Sequence, residues 1–408
     1  MIPSADTPLR PADAERLLRD AVDEGALGRR EAERLAASFG DVGVREALWE
    51  AALESKRRGR GDRVSFSRNI FVPLTNLCRD RCGYCTFAKP PDSPEARTYT
   101  LDEVAGLVKG GLATGCLEAL FCLGDKPEVA YASHRAWLAE RGYGSTTDLL
   151  EQACRDTFEA GMLPHTNAGI LSAEEMERLR PWNASMGLML ETTSARLRSK
   201  GMAHRYAPDK EPAVRIRMHE EAGELRIPFT SGLLLGIGEN ARERVDTLLE
   251  IRRLNDRWGH VQEAIVQPFH PKPGTALRYA SALPDEEVAS WVALARLVLG
   301  PRMNVQAPPN LAPEVLEMLL RAGVSDWGGV SPVTVDFINP EAPWPTLAEL
   351  ARRTEAAGAQ LVERLPVYPE HLTEPDFFHP RVREACLARV DAEGWVRRDG
   401  ADPGREAA

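Results

Sequence analysis

From Ser67 onward, short apolar or β-branched runs alternate with longer amphipathic stretches, and this alternation constrains the fold more than any other feature. Eight runs read as strands: Asn69–Leu74, Leu117–Leu123, Leu163–Asn167, Ser185–Leu190, Phe229–Leu235, Ala264–Gln267, Met303–Gln306 and Val324–Trp327. Between them, Leu101–Ala113, Thr146–Glu159, Ala173–Leu179, Pro212–Ala222, Ala241–Asp256, Asp285–Val298 and Ala312–Arg321 read as helices. Thr100, Ser172 and Pro284 supply helix-start signals, each followed by acidic residues. Repeated strand–helix alternation calls for parallel strands joined by right-handed crossovers. It predicts an α/β fold, a TIM-type (β/α) barrel of six to eight parallel strands, with a doubly wound open sheet as the competitor. Before the barrel, residues 8–58 place Leu9, Ala14, Leu18, Ala32 and Leu35 at helical spacing, with breaks at Gly25, Gly28 and Gly40. The expected organisation is an N-terminal helical extension (1–63), the barrel (64–340), a C-terminal helical extension packed on it (341–400) and a disordered tail (401–408).

A barrel of this kind carries its chemistry on the loops that follow the strands. The loop after the first strand holds Cys78-Arg79-Asp80-Arg81-Cys82-Gly83-Tyr84-Cys85. Three thiolates on one short loop suit zinc or an iron–sulfur cluster. Structural zinc wants a fourth Cys or His nearby, and Cys116 and His134 lie far downstream. A cubane held by three cysteines leaves one iron open to a small molecule. Polar residues close nearly every other strand: Gly124-Asp125, His165 with Asn167, Glu191, Gly236 with Glu239, Gln267, Gln306, and Asp326 before Trp327. Singly each could be an ordinary loop residue; on one rim they describe a polar pocket.

Composition narrows the remaining classes. The net charge of −10 argues against a nucleic-acid partner, which favours a basic field. No apolar run approaches the roughly 18 residues of a membrane span, and Met1–Asp6 lacks the pattern of a signal peptide. Seven cysteines, an odd number with three clustered, point to a reducing cytoplasm. Cys116, Cys122, Cys154 and Cys386 read as buried or incidental thiols.

C-x3-C-x2-C with an aromatic before the third cysteine resembles the signature of the radical S-adenosylmethionine (SAM) superfamily. That resemblance implies a 4Fe–4S cluster on Cys78, Cys82 and Cys85 whose open iron chelates SAM, giving a 5'-deoxyadenosyl radical after one-electron reduction. It further implies SAM contacts at Tyr84, at Gly124 and Asp125 (Leu123-Gly124-Asp125 standing where the superfamily has Gly-Gly-Glu), at Glu191, and at Gly236 and Glu239. Longer strings, including Thr75–Phe87, Gly124–Glu128, Pro164–Gly169, Ser185–Glu191, Lys272–Thr275, Gln306–Leu311 and Asp326–Pro332, resemble the FO synthase subunit 1 (CofG-type) family. In that family the enzyme closes the third ring of a deazaflavin with loss of ammonia. The substrate is an adduct of a tyrosine-derived hydroxybenzyl group and ribityl-diaminouracil. The resemblance implies FO synthase subunit 2 (CofH-type) as a separate functional partner and a low-potential donor such as ferredoxin or flavodoxin. His165, Asn167, Gln267, Gln306 and Asp326 are the candidates to meet the substrate. The rivals are the sister subunit, which usually carries Phe at the position of Tyr84, a futalosine-pathway radical SAM enzyme, and a zinc-bound interaction domain.

Overall fold

The computed structural model describes residues 8–397; the tail expected at 401–408 and the Met1–Asp6 start lie outside the described residues. Nine strands form one all-parallel sheet: β1 (Arg63–Val72), β2 (Glu118–Cys122), β3 (Leu163–Asn167), β4 (Ser185–Gly187), β5 (Phe229–Leu235), β6 (Val261–Pro268), β7 (Asn304–Gln306), β8 (Asp326–Val330) and β9 (Gln360–Glu363). The first eight pair in sequence order, and β1 pairs with both β8 and β2, which closes an eight-stranded barrel. The ten-residue β1 makes this closure possible. Its second half, Asn69–Val72, pairs with β2, while its first half, Arg63–Phe66, carries β9.

β9 was not expected. A four-residue Gln-Leu-Val-Glu segment is too short to show alternation. The C-terminal extension is therefore partly sheet, not purely helical. Other differences are local. β4 stops at Gly187 rather than Leu190, with one further bridge from Glu191 to Leu233. β8 starts at Asp326, two residues later than the apolar run suggested. Pro313 converts the start of the last crossover helix into a 3-10 turn before Leu316–Arg321.

Of the N-terminal helices, α2 (Arg29–Ala36) and α3 (Val42–Arg60) cover the helix Asp285–Leu299, and α1 (Pro11–Glu24) packs on α3. The helix Asp285–Leu299 is consequently buried from Val288 to Val298 and mostly apolar, with the buried Arg296 donating to the Gly323 carbonyl and to Ser325 Oγ. Trp49 donates to Ser290 Oγ at 3.2 Å, and Leu27 N–H donates to the Leu297 carbonyl at 2.8 Å. Thr100 and Ser172 both form reciprocal capping boxes, with Glu103 and Glu175.

At the N-terminal end of the barrel the interior is polar. Asp326 opens β8, Glu263 lies early in β6, and both bind the guanidinium of Arg364, just after β9. Tyr368 donates to Glu263 at 2.6 Å, and the Pro366 carbonyl accepts from Ser185 and Gln262. The segment 364–368 thus plugs the barrel floor, opposite the rim where the cysteine loop sits.

Candidate active site

Leaving β1, the chain turns through Cys78–Cys85 above the C-terminal mouth of the barrel. Backbone N–H groups of Asp80 and Asp125 donate to Cys78 Sγ at 3.3 and 3.1 Å. A Cβ on Gly124 would stand 1.9 Å from the Leu77 carbonyl oxygen, so only glycine lets the end of β2 lie this close to the cysteine loop. Phe71 and Phe87, both buried, line the cavity beside the loop, whereas Ile70, Val72 and Leu74 pack in the core cluster with the helix Leu101–Ala113.

Below the loop lies a cavity of about 340 Å³, within the range of small-molecule sites, roughly 300–1,000 Å³. Cys78, Cys82 and Cys85 line it, together with Tyr84, Gly124 and Asp125. Glu191, Asn167, Gln267 and Gln306 line it as well. Asp125 packs against Gly169, where a Cβ would meet its carboxylate carbon at 2.5 Å. Its Oδ2 accepts from Ile170 N–H at 3.0 Å, while the buried Oδ1 has no partner. Burial, then the neighbouring Asp209 carboxylate, pushes the Asp125 carboxyl up to about 7. Glu191 sits at φ +66° and pairs with Lys210 at 2.5 Å. Burial raises its carboxyl, but Lys210 and Arg215 outweigh that and hold it below the ordinary value.

Tyr84 donates or accepts at His204 Nε2 across 3.1 Å and meets the Phe269 ring edge-on at 6.4 Å. Gln306 and Asn69 lie against the backbone of β8. A Cβ on Gly328 would stand 2.1 Å from Gln306 Nε2, and one on Gly329 2.0 Å from Asn69 Nδ2. Asn69 Oδ1, also buried, has no partner.

Four expected residues are not brought into this cavity wall. Asp326 is fully buried in the floor with Arg364. His165 faces the same floor, bonded to Ser185 Oγ at 2.7 Å, and burial with Arg364 pushes its imidazole down to about 3. A proton-moving role for His165 near neutral pH does not fit that environment. Glu239 accepts from Gly236 N–H at 2.6 Å and from Arg244 at 2.7 Å, so it ties its loop to the helix Ala241–Trp258. Gly236 lies behind Phe269, where an added Cβ would stand 3.7 Å from the ring. Trp327 lines the cavity and gives its N–H to Thr354 at 3.1 Å.

Several cavity residues escaped the sequence reading. Lys210 and Arg215 belong to a helical turn and helix with no distinguishing pattern. Asp336 accepts from Asn310 and Asn339 at 3.0 and 2.9 Å, and Lys272 donates to Asn339 at 2.7 Å. Lys272 and Asn310 lay inside motifs that had been singled out, so their signal was present. Cys122, read as a buried or incidental thiol, also lines the cavity.

A closed parallel barrel with a C-x3-C-x2-C loop over its mouth is the architecture of a radical SAM enzyme, and residues 72–251 match the model of the Radical SAM superfamily. Among solved structures, the FeFe-hydrogenase maturase HydG from Carboxydothermus hydrogenoformans superposes with a TM-score of 0.69 at 18% identity, over 92% of this chain and 88% of that one. Methylornithine synthase gives 0.67 at 16% identity, over 85% and 97%. At those identities the likeness concerns the fold. The 7,8-didemethyl-8-hydroxy-5-deazariboflavin synthase of Methanopyrus kandleri is 47% identical over 335 residues, covering 82% of this chain and all of that protein. The enzyme of the same description from Methanothermobacter thermautotrophicus is 48% identical, over 79% and 96%. The FO synthase of Mycobacterium leprae is 48% identical over 89% of this chain, which spans 42% of that longer protein. The chain belongs to the 7,8-didemethyl-8-hydroxy-5-deazariboflavin synthase family, and its cofactors are a 4Fe–4S cluster and SAM. No helix among the described residues is long and apolar enough to cross a membrane.

Proposed function

We propose that this chain is the ring-closing, ammonia-releasing lyase of deazaflavin formation, acting in the cytoplasm on an adduct supplied by a separate CofH-type subunit. The observation that carries the reading is the cavity itself. Three thiols, an unpartnered buried carboxylate oxygen and a set of amides line one common space. These residues fit the cofactors. Cys78, Cys82 and Cys85 would hold the cluster, and Asp125 Oδ1 is free to accept from the SAM ammonium. When bound, cluster and SAM supply a 5'-deoxyadenosyl radical that takes a hydrogen atom from the substrate.

The protein's own work is positioning. Glu191, held ionised by Lys210 and Arg215, offers acceptors to a ribose or an amine. Asn69, Asn167, Gln267 and Gln306 present donors and acceptors suited to a uracil edge and a polyol. Lys272, Asn310, Asp336 and Asn339 hold one another rigidly in the same wall. Gly236 and Glu239 shape the loop beside Phe269, and the touching Tyr84 and Phe269 rings offer an apolar face for the SAM adenine.

The deciding experiment is an anaerobic reaction of the reconstituted protein with purified adduct, SAM and dithionite. Deazaflavin fluorescence from the adduct alone supports the reading. Adduct formation from tyrosine and diaminouracil without ring closure assigns the chain to the sister reaction instead. Asp125→Ala is expected to raise the SAM KM at least tenfold, as loss of a charge-assisted hydrogen bond worth roughly 1.5–3 kcal/mol requires. Iron content should stay at the wild-type level. An unaltered SAM dependence removes Asp125 from the site.

A further inference from the structure

The cysteine loop alternates. Cys78, Asp80 and Cys82 line the inner cavity, whereas Arg79 and Arg81 line a hollow on the outer surface together with Arg198, Arg205 and Tyr206. The same loop therefore borders both. Backbone hydrogen bonds tie three segments around it. Arg81 N–H donates to Tyr206 O at 2.9 Å, Gly83 N–H to Ala203 O at 2.7 Å, and Leu277 N–H to Gly83 O at 2.8 Å. Each segment turns an arginine outward, namely Arg81, Arg205 and Arg278, all exposed.

Their charges are unspent. Arg79 pairs with Asp209 and Arg198 with Glu211, but Arg81, Arg205 and Arg278 have no carboxylate partner among the described residues. Arg205 instead lies 5.9 Å from the centroid of Tyr206, and Arg278 4.6 Å from that of Tyr279. These two tyrosines are 72% and 86% exposed, the largest values among the exposed large hydrophobic residues. Arginine and tyrosine are the residues that interfaces enrich. A cationic face on a chain of net charge −10 is a local exception that steers an anionic partner to one place.

We propose that this face docks a small acidic one-electron carrier, a flavin or iron–sulfur protein, against the outer side of Cys82. The proposal rests on the reading that Cys78, Cys82 and Cys85 hold the cluster. The reduced carrier gives up one electron, the cluster gains it, and no proton or bond changes hands. Placement one residue from a cluster ligand keeps the transfer path short while the carrier never enters the substrate cavity.

The test uses the full reconstituted chain and an acidic flavodoxin, with binding read by fluorescence anisotropy and SAM cleavage read as 5'-deoxyadenosine. The combined variant Arg81→Glu, Arg205→Glu, Arg278→Glu is expected to weaken flavodoxin binding at least tenfold and to slow flavodoxin-driven cleavage correspondingly. Iron content and dithionite-driven cleavage should stay within twofold of wild type. The milder set Arg81→Gln, Arg205→Gln, Arg278→Gln should show the same pattern at smaller size, and added salt should weaken wild-type binding. Unchanged flavodoxin binding in the Glu variant overturns the proposal, as does a variant that loses binding only to an oligonucleotide. Failure of the wild-type chain to cleave SAM with dithionite would sink the cluster reading instead, so the two failures are distinguishable.

Discussion

Cys82→Ala is expected to abolish cluster retention and to reduce 5'-deoxyadenosine production to background, with the barrel still folded. Three cysteines are the minimum that tethers a cubane while leaving one iron open, so losing one leaves two anchors on a loop that cannot close around the metal. The protein cost is small. Burial pushes the Cys82 thiol up to about 12, so in the absence of metal it is a neutral, buried side chain. Truncating such a group costs on the order of 1 kcal/mol. The backbone bonds that staple the loop to Tyr206 and Ala203 do not involve the sulfur and persist. Iron content, 5'-deoxyadenosine yield and the thermal unfolding midpoint are the three measurements. Cleavage at the wild-type rate in the variant would place the cluster elsewhere, and loss of the unfolding transition would mean that the thiol is a fold determinant.

The legible and illegible parts of this molecule divide along a physical line. β3 and β5 have the bounds that their apolar runs predicted, and so do the helices Leu101–Ala113, Thr146–Glu159 and Ala173–Leu179. Each carries its own periodicity or capping residue. The cysteine spacing was likewise complete within eight residues. What failed depended on position along a strand. Asp326 was read as closing β8 at the rim, but the strand begins there and the side chain points to the floor. His165 and Asn167 share one face of β3, two residues apart, yet one strand layer separates floor from cavity. Glu239 was expected at SAM, but its Oε1 is engaged by Gly236 and Arg244 within its own loop, which the cavity wall does not include. Lys210 and Arg215 were invisible because their meaning comes from Glu191, some twenty residues away in the chain.

Arg364→Met is expected to destabilise the chain by about 3–5 kcal/mol, although Arg364 lies at the opposite end of the barrel from the cysteine loop. Its guanidinium donates to Asp326 at 2.7 and 2.9 Å and to Glu263 at 3.3 Å, and it stands 4.2 Å from the centroid of Tyr368. All of these partners are buried. Burial already pushes the Glu263 carboxyl up, and burial raises Glu118 to about 7 against the counter-pull of Arg364. Removing the cation strands this acidic layer with no compensating charge, which costs more than losing the pair costs in principle. Two further changes test that account. Adding Asp326→Asn and Glu263→Gln to Arg364→Met removes the stranded charges, and it should recover a large part of the lost stability in urea denaturation. If Arg364→Met alone leaves the urea midpoint where it was, the segment after β9 merely covers the barrel floor. If the triple variant is no more stable than the single one, packing of the long arginine stem against Tyr368, and not charge, holds the plug in place.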